Sequence, residues 1–225
     1  MSALPCSDTV HPVRARSLDW RRRRGYRNAC RLGRQVSSLA ETFGAVCLGP
    51  DDFVGSLYCR SGLGDDAVAA VRFDASGRTS TIVVPTLRTW HRPHLRALAN
   101  RLASVSYAYG RIVLVVPPAE VRRQPRLDNA ERIVGSMRPP AAGDLATLAR
   151  CAAARGDVAD LATCAAALPG PHALERIFGL MAGGHLSIDL DAALGPRSIV
   201  RLRASCWSTP WEVLGWQPPS PDRSI

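Results

Sequence analysis

The run Ile112–Val116 reads IVLVV, five apolar residues without a break, bounded by Arg111 and Pro117. A strand with one wet face alternates polar and apolar side chains. An uninterrupted run suits a strand covered on both faces, which requires helices above and below it. The preceding stretch, HRPHLRALANRLASVSYAYG (91–110), supplies one of them. Pro93 fits the first helical turn, and Leu95, Leu98, Ala99, Leu102 and Val105 recur three and four apart on one face. Gly110 ends the helix. Helix followed by buried strand is the signature of an α/β layer, with the VLVV strand expected at its centre.

The flanking segments extend this layer. AVAAVRFD (67–74) and TSTIVVPTL (79–87) read as two strands joined by the turn Ala75-Ser-Gly-Arg78. Pro85 should end the hydrogen-bonding run of the second. Residues 1–16 are expected to lack order, and QVSSLAETF (35–43) to end a helix that begins near Tyr26. GAVCLG (44–49) reads as a short buried strand, GPDD (49–52) as a turn and CRSGLGDD (59–66) as a loop. LDNAERIVGSM (127–137) is a helix with Asp128 or Asn129 as its cap. Residues 35–138 therefore form one α/β unit, and Pro139-Pro-Ala-Ala-Gly143 is a linker.

Beyond the linker the rhythm changes. GDLATLARCAAARG (143–156), DVADLATCAAAL (157–168, with Asp157 as its cap) and HALERIFGLMAGG (172–184) are three short helices. HLSIDL (185–190) and SIVRLR (198–203) are two strands. Three helices and a two-stranded wing over 143–206 describe a winged helix-turn-helix. In the tail, 207–225, Trp207, Trp211 and Trp216 are expected to cover apolar surface.

Charge is distributed unevenly. Residues 13–34 hold nine arginines and one acid, and residues 1–34 carry a net +7. Residues 35–140 carry +4, and residues 141–203 are neutral. The electrostatic footprint is therefore at the start of the chain. All 29 basic residues are arginine. This uniform usage weakens any inference that each arginine was selected for its bidentate fork.

The seven cysteines include no CxxC pair, and Cys151 and Cys164 sit in apolar helices as core thiols. A reduced, cytoplasmic and nucleoid-associated setting is expected. The basic run follows Pro5 and Pro12, with no apolar stretch of the kind a signal peptide needs. His91 and His94 lack a third ligand nearby, so neither metal nor cofactor is expected. No phosphate-binding or nucleophile-elbow motif occurs.

The phrase DNAERIVGSMR (128–138), just after the strand RIVLVV, is similar to the strand and Asn-Ala helix of the TnsA-like transposon endonucleases. The order of elements over about residues 30–203 resembles that family too. The resemblance implies a restriction-endonuclease-like α/β core followed by a C-terminal winged helix. It also implies a metal-dependent site with a helical acid, an aspartate at a strand start and a Glu/Gln-x-Lys on the next strand. Glu41 would match the first, and Asp74 or Asp65–Asp66 the second. Where the acid and lysine should follow stand Val83, Val84 and Pro85, and Arg88 could clamp a phosphate but not act as a base. No catalytic residue is assigned.

The expected function is non-catalytic binding of double-stranded DNA, as a transcriptional regulator or a mobile-element accessory factor. The contacts expected from the first segment are Arg14, Arg16, Arg21, Arg22, Arg23, Arg24, Arg27, Arg31 and Arg34, with Trp20 and Tyr26 interleaved. From the winged helix they are Arg176, Arg197 and Arg201. One alternative is a protein-docking adaptor or homodimer that uses the nearly neutral winged helix. Another is a Mg-dependent DNA endonuclease. No membrane association is expected.

Overall fold

The computed structural model describes residues 12–64, 67–75, 77–156, 158–203 and 209–216, with backbone alone for 12–26 and 210. Four strands form a mixed sheet in the order β1 (Val46–Pro50), β2 (Val68–Ala75), β3 (Arg78–Pro85), β4 (Ile112–Val115). The first three pair antiparallel, and β4 runs parallel to β3 in the register Ser80 to Ile112 and Val83 to Val115. A parallel pair needs a long crossover. Here it comprises the short α3 (Leu87–Trp90) and the long α4 (Pro93–Ala108).

Alternation along the strands divides the core into two layers. Ala69, Val71, Phe73, Ile82, Val84 and Leu114 share one face with buried residues of α1 (Pro12–Glu41), α5 (Pro118–Val121) and α6 (Arg126–Ser136). Val68, Val83 and Val113 meet Ala99, Leu102 and Ala103 of α4 and Val54 and Tyr58 of α2 (Asp52–Tyr58) on the other. Each fully buried apolar side chain contributes roughly 1.5–3 kcal/mol. Asp51 caps α2 by accepting from Val54 N at 3.0 Å, and its carboxylate also accepts from Thr81 Oγ1. The Tyr58 hydroxyl donates to Ala99 O at 2.9 Å, and burial pushes its pKa up.

Several expectations change. The helix expected to start near Tyr26 begins at Pro12, so the arginine-rich segment is the first part of a 30-residue helix. The VLVV strand is an edge strand, and β2 and β3 take the interior positions. A continuous apolar run reports cover on both faces, not rank within the sheet. β1 is also an edge, with Val46 61% and Leu48 43% exposed, where a buried strand was expected. FVGSLY, between the expected turn at 49–52 and the expected loop at 59–66, belongs to α2, which is followed by a wider helical turn over Cys59–Leu63. Val105 is exposed, and Ser106 takes its place on the inner face of α4. The cap of α6 is Pro125, not Asp128 or Asn129.

The second half contains α7 (Asp144–Ala153), β5 (Ala159–Asp160), α8 (Leu161–Ala167), α9 (Ala173–Ala182), β6 (Leu186–Ile188) and β7 (Ile199–Leu202). Its strands form a separate antiparallel sheet in the order β5-β7-β6. Asp160 caps α8 by accepting from Thr163 N at 2.7 Å, while Asp157 lies outside the described residues. Cys164 is buried, which pushes its thiol up to about 11, and Cys151 is half-buried. Trp211 and Trp216, around α10 (Pro210–Val213), are buried in the main core, whereas Trp207 lies outside the described residues. Among the described residues, no helix is long and apolar enough to cross a membrane.

The two halves share one hydrophobic cluster, in which Leu32 and Ile133 of the first join Ile177, Phe178 and Met181 of α9. Polar contacts fix the seam. Arg126 donates through Nε to Asp191 Oδ1 at 2.9 Å and through Nη2 to Oδ2, while Nη1 reaches Leu214 O. Asn129 Nδ2 donates to Leu190 O and Ala192 O at 2.9 and 2.8 Å. Arg203 Nη1 donates to Phe43 O at 2.8 Å, and burial lowers the pKa of that guanidinium. Gly44, at φ +86°, meets Gly184 so closely that an added Cβ would lie 2.7 Å from Gly184 Cα.

The Arg126 hydrogen bond holds the Asp191 carboxyl below the ordinary carboxylate range. Its folded pKa lies below its unfolded value of about 4, so the stabilisation is complete above that value and vanishes as pH falls through the folded one. Asp191→Asn should cost on the order of 1 kcal/mol at pH 7, discounted because the side chain is 39% exposed. The gap between the two proteins in thermal or denaturant unfolding should close as pH drops below about 4.

Candidate nucleic-acid interface

The carboxyl ends of β3 and β4 open into a cleft of about 1000 Å³. In open α/β sheets, ligands settle in the crevice outside the carboxyl ends of the parallel strands. Asn28, Arg31, Leu32 and Gln35 line it from α1, and Thr86, Leu87, Arg88, Thr89, Arg92 and Leu95 line it from the segment after β3. Arg122, Gln124, Leu127, Asp128 and Glu131 follow β4, and Gly62, Leu63 and Ala67 close the side before β2.

Each group has a local reason for its place. β3 is buried from Ser80 onward, Thr86 is still buried with its N donating to Ala67 O at 2.8 Å, and the chain emerges at Leu87. The chain then turns through α3, which carries Arg88 on its exposed side. Pro93 starts α4 and leaves Arg92 as its cap residue on the rim. Leu32 and Leu127 are buried at the floor, where α1 packs on α6.

Four guanidinium groups, Arg31, Arg88, Arg92 and Arg122, face two carboxylates, Asp128 and Glu131. Asp128 is engaged by Gln124 Nε2 at 2.8 Å. None of the four arginine side chains has an acid or hydrogen-bond acceptor as partner among the described residues. Gln35 is only 6% exposed, and its Oε1 has no hydrogen-bond partner. A second groove of about 350 Å³ continues from the cleft between α1 and α6, sharing Arg31, Gln35 and Glu131 and adding Arg34 and Ser38.

The expected site residues distribute as follows. Arg31 lines the cleft, Arg34 lines the groove, and Arg27 is exposed on the same helix. Arg14, Arg16, Arg21, Arg22, Arg23 and Arg24 belong to α1 by backbone, and their side chains, like those of Trp20 and Tyr26, lie outside the description. Arg197 and Arg201 are exposed, on the β6–β7 connection and on β7. Arg176 occupies a different setting. Its side chain is 14% exposed, lies 3.5 Å from the buried Asp144 carboxylate and donates to Pro169 O.

All of α9 is buried or half-buried, because it packs between α6 and α8. The helix that would read a major groove in a winged helix thus has no open face here. Arg176 holds α9 to α7 across the Asp144 pair.

The acids named for a nuclease site do not meet at the cleft. Asp74 accepts from Gly77 N in the hairpin turn, six residues of strand from the cleft end of β2, about 20 Å away. Glu41 ends α1, six residues or about 9 Å beyond Gln35, and burial pushes its carboxyl up. Asp65 and Asp66 lie outside the described residues. Among the described residues, no three His, Cys, Asp or Glu side chains gather into a group able to hold a metal ion. Arg92, Arg122 and Gln35 were missed in the sequence, and Arg88 entered it only as a phosphate clamp. The usable signal was position, since three of the four follow the carboxyl end of a strand.

Compared with known proteins, the chain matches no family model, no curated protein and no solved structure.

Proposed function

We propose that the chain is a non-catalytic double-stranded DNA-binding protein, a regulator or mobile-element accessory factor. Its first half is read as a restriction-endonuclease-like core and its second as a winged helix docked on it. The order α1-β1-β2-β3-α4-β4, with three antiparallel strands and a crossover to a parallel fourth, supports the first assignment. The order α7-β5-α8-α9-β6-β7 with sheet order β5-β7-β6 supports the second.

One observation carries the functional reading: four arginines without an acid or acceptor partner among the described residues ring a cleft that is lined on one side by α1, the helix that carries the arginine run. Phosphate oxygens are acceptors only, and guanidinium forks without acids satisfy them. In this reading the winged helix supplies Arg197 and Arg201 from its wing, and α9 stays inside.

The double variant Arg88→Glu/Arg92→Glu should weaken duplex binding by about ten- to a hundredfold, to a similar degree for unrelated sequences. A filter or anisotropy titration checks this, and unchanged affinity would remove the cleft from the interface. Incubation with Mg²⁺ or Mn²⁺ and plasmid DNA should give no cleavage above that of Glu41→Ala. Nicking lost in that variant would favour the endonuclease alternative.

A protein-docking reading has a surface other than the winged helix first named for it: the outer edge of β1, which pairs with no strand among the described residues and exposes Val46 and Leu48. Absence of duplex binding by the full chain at low salt would favour it.

A further inference from the structure

The cleft described above has two chemistries, and a bare phosphate satisfies only one. Arg88, Arg92 and Arg122 at its rim offer donors to an anion. Gln35, deeper on α1, is 6% exposed and its carbonyl oxygen accepts from nothing among the described residues. A phosphodiester of the duplex backbone has no proton to give such an acceptor. The lining also has an apolar wall open to a ligand, with Leu87 exposed and Leu95 half-buried. The volume, about 1000 Å³, matches a small-molecule site and is far larger than one anion needs. A ligand that answers all three features carries a negative group, a flat apolar face and an edge with both donor and acceptor. A nucleotide has this combination, and a glutamine amide pairs with a base edge through one donor and one acceptor.

We propose that the cleft is a nucleoside-phosphate pocket, in which Arg88, Arg92 and Arg122 hold the phosphate, Gln35 hydrogen-bonds the base edge, and Leu87 and Leu95 cover the base face. The inference rests on the DNA-binding reading of the same site and deepens it. The occupant is one nucleotide separated from the duplex stack, either free in solution or at a phosphorylated strand end.

The test uses the full chain at low salt in calorimetric titrations. The titrants are nucleoside monophosphates, unphosphorylated nucleosides, inorganic phosphate, and short single strands with and without a 5′-phosphate. Duplex affinity is measured in parallel. Monophosphates should bind at least tenfold more tightly than inorganic phosphate or nucleoside. Arg92→Glu, an exposed change that spares the core, should weaken every phosphorylated titrant about tenfold or more. Gln35→Leu should weaken monophosphates about tenfold and leave inorganic phosphate unchanged.

A 5′-phosphorylated strand that binds more tightly than the monophosphate identifies a strand end as the source. Equal affinity, with no gain from the strand, identifies the free nucleotide. Inorganic phosphate binding as tightly as the monophosphates overturns the proposal, as does Gln35→Leu weakening both alike. Duplex binding without any monophosphate binding at millimolar concentration overturns the pocket and leaves the DNA-binding reading standing. Monophosphate binding without duplex binding does the reverse.

Discussion

Replacing Arg21, Arg22, Arg23 and Arg24 together with glutamate is expected to reduce duplex affinity about a thousandfold at moderate salt. Each arginine that neutralises a phosphate releases a counterion and adds slightly under one unit to the slope of log K against log salt. Four consecutive helical positions are spread around the axis in steps of about 100°, so a duplex lying along one side of α1 meets about two or three of them. The slope should therefore fall by about two to three units. The reversed charges add repulsion that acts on all sequences alike. The expectation is checked by a salt series with two unrelated duplexes. A slope unchanged within half a unit would mean that α1 does not lie on the phosphate backbone. A loss confined to one sequence would mean that this segment reads bases.

The second large effect concerns stability. Gly179→Ala is expected to destabilise the chain by about 3 kcal/mol or more, beyond the ordinary range for overpacking. A Cβ at this position would lie 1.9 Å from Arg138 O and 3.1 Å from Arg138 C. These are backbone atoms, so no side-chain rotation relieves the clash. The backbone of Arg138 is also fixed, because its N donates to Glu175 O on the same helix at 2.9 Å. Relief requires α9 to move away from the segment after α6, opening the seam. For a chain of this size the unfolding midpoint should drop by about 6–12 °C. Gly135→Ala is the control. It lies in α6 with nothing within 4 Å of the new methyl, and a glycine replaced by alanine inside a helix gains roughly 0.5–1 kcal/mol. If Gly179→Ala melts within a degree of the parent, the close approach of α9 to Arg138 is not present in solution.

Local pattern made much of this fold legible. The hairpin of β2 and β3, the helix from Pro93 and the strand from Ile112 all follow from periodicity and turn residues, and the structure places them there. Two strands of the second sheet, β6 and β7, lie where the pattern put them, but its third, Ala159–Asp160, falls in a segment read as helix, which begins only at Leu161. Neighbours between elements were not legible. Apolar runs tell how much of a strand is covered and not what lies beside it, so IVLV was read as central although it is an edge. The composition of α9 could not reveal that α6 covers its outer side, and Arg176 was therefore read as a groove contact when it faces Asp144. Asn129, taken as a cap, is spent on the carbonyls of Leu190 and Ala192 more than sixty residues away. The cleft stayed hidden because its arginines come from three separate segments, and a chain without lysine gives no compositional cue to which arginines share a site.

The shared hydrophobic cluster bears on how such a chain can change over time. Residues 139–143 look like a joint where two modules were spliced, yet Ile177, Phe178 and Met181 are buried in the same cluster as Leu32 and Ile133 on the other side of it. A break at the joint would leave two adhesive fragments rather than two working parts. Neither half could be traded as a cassette between proteins without carrying its counterpart's surface along.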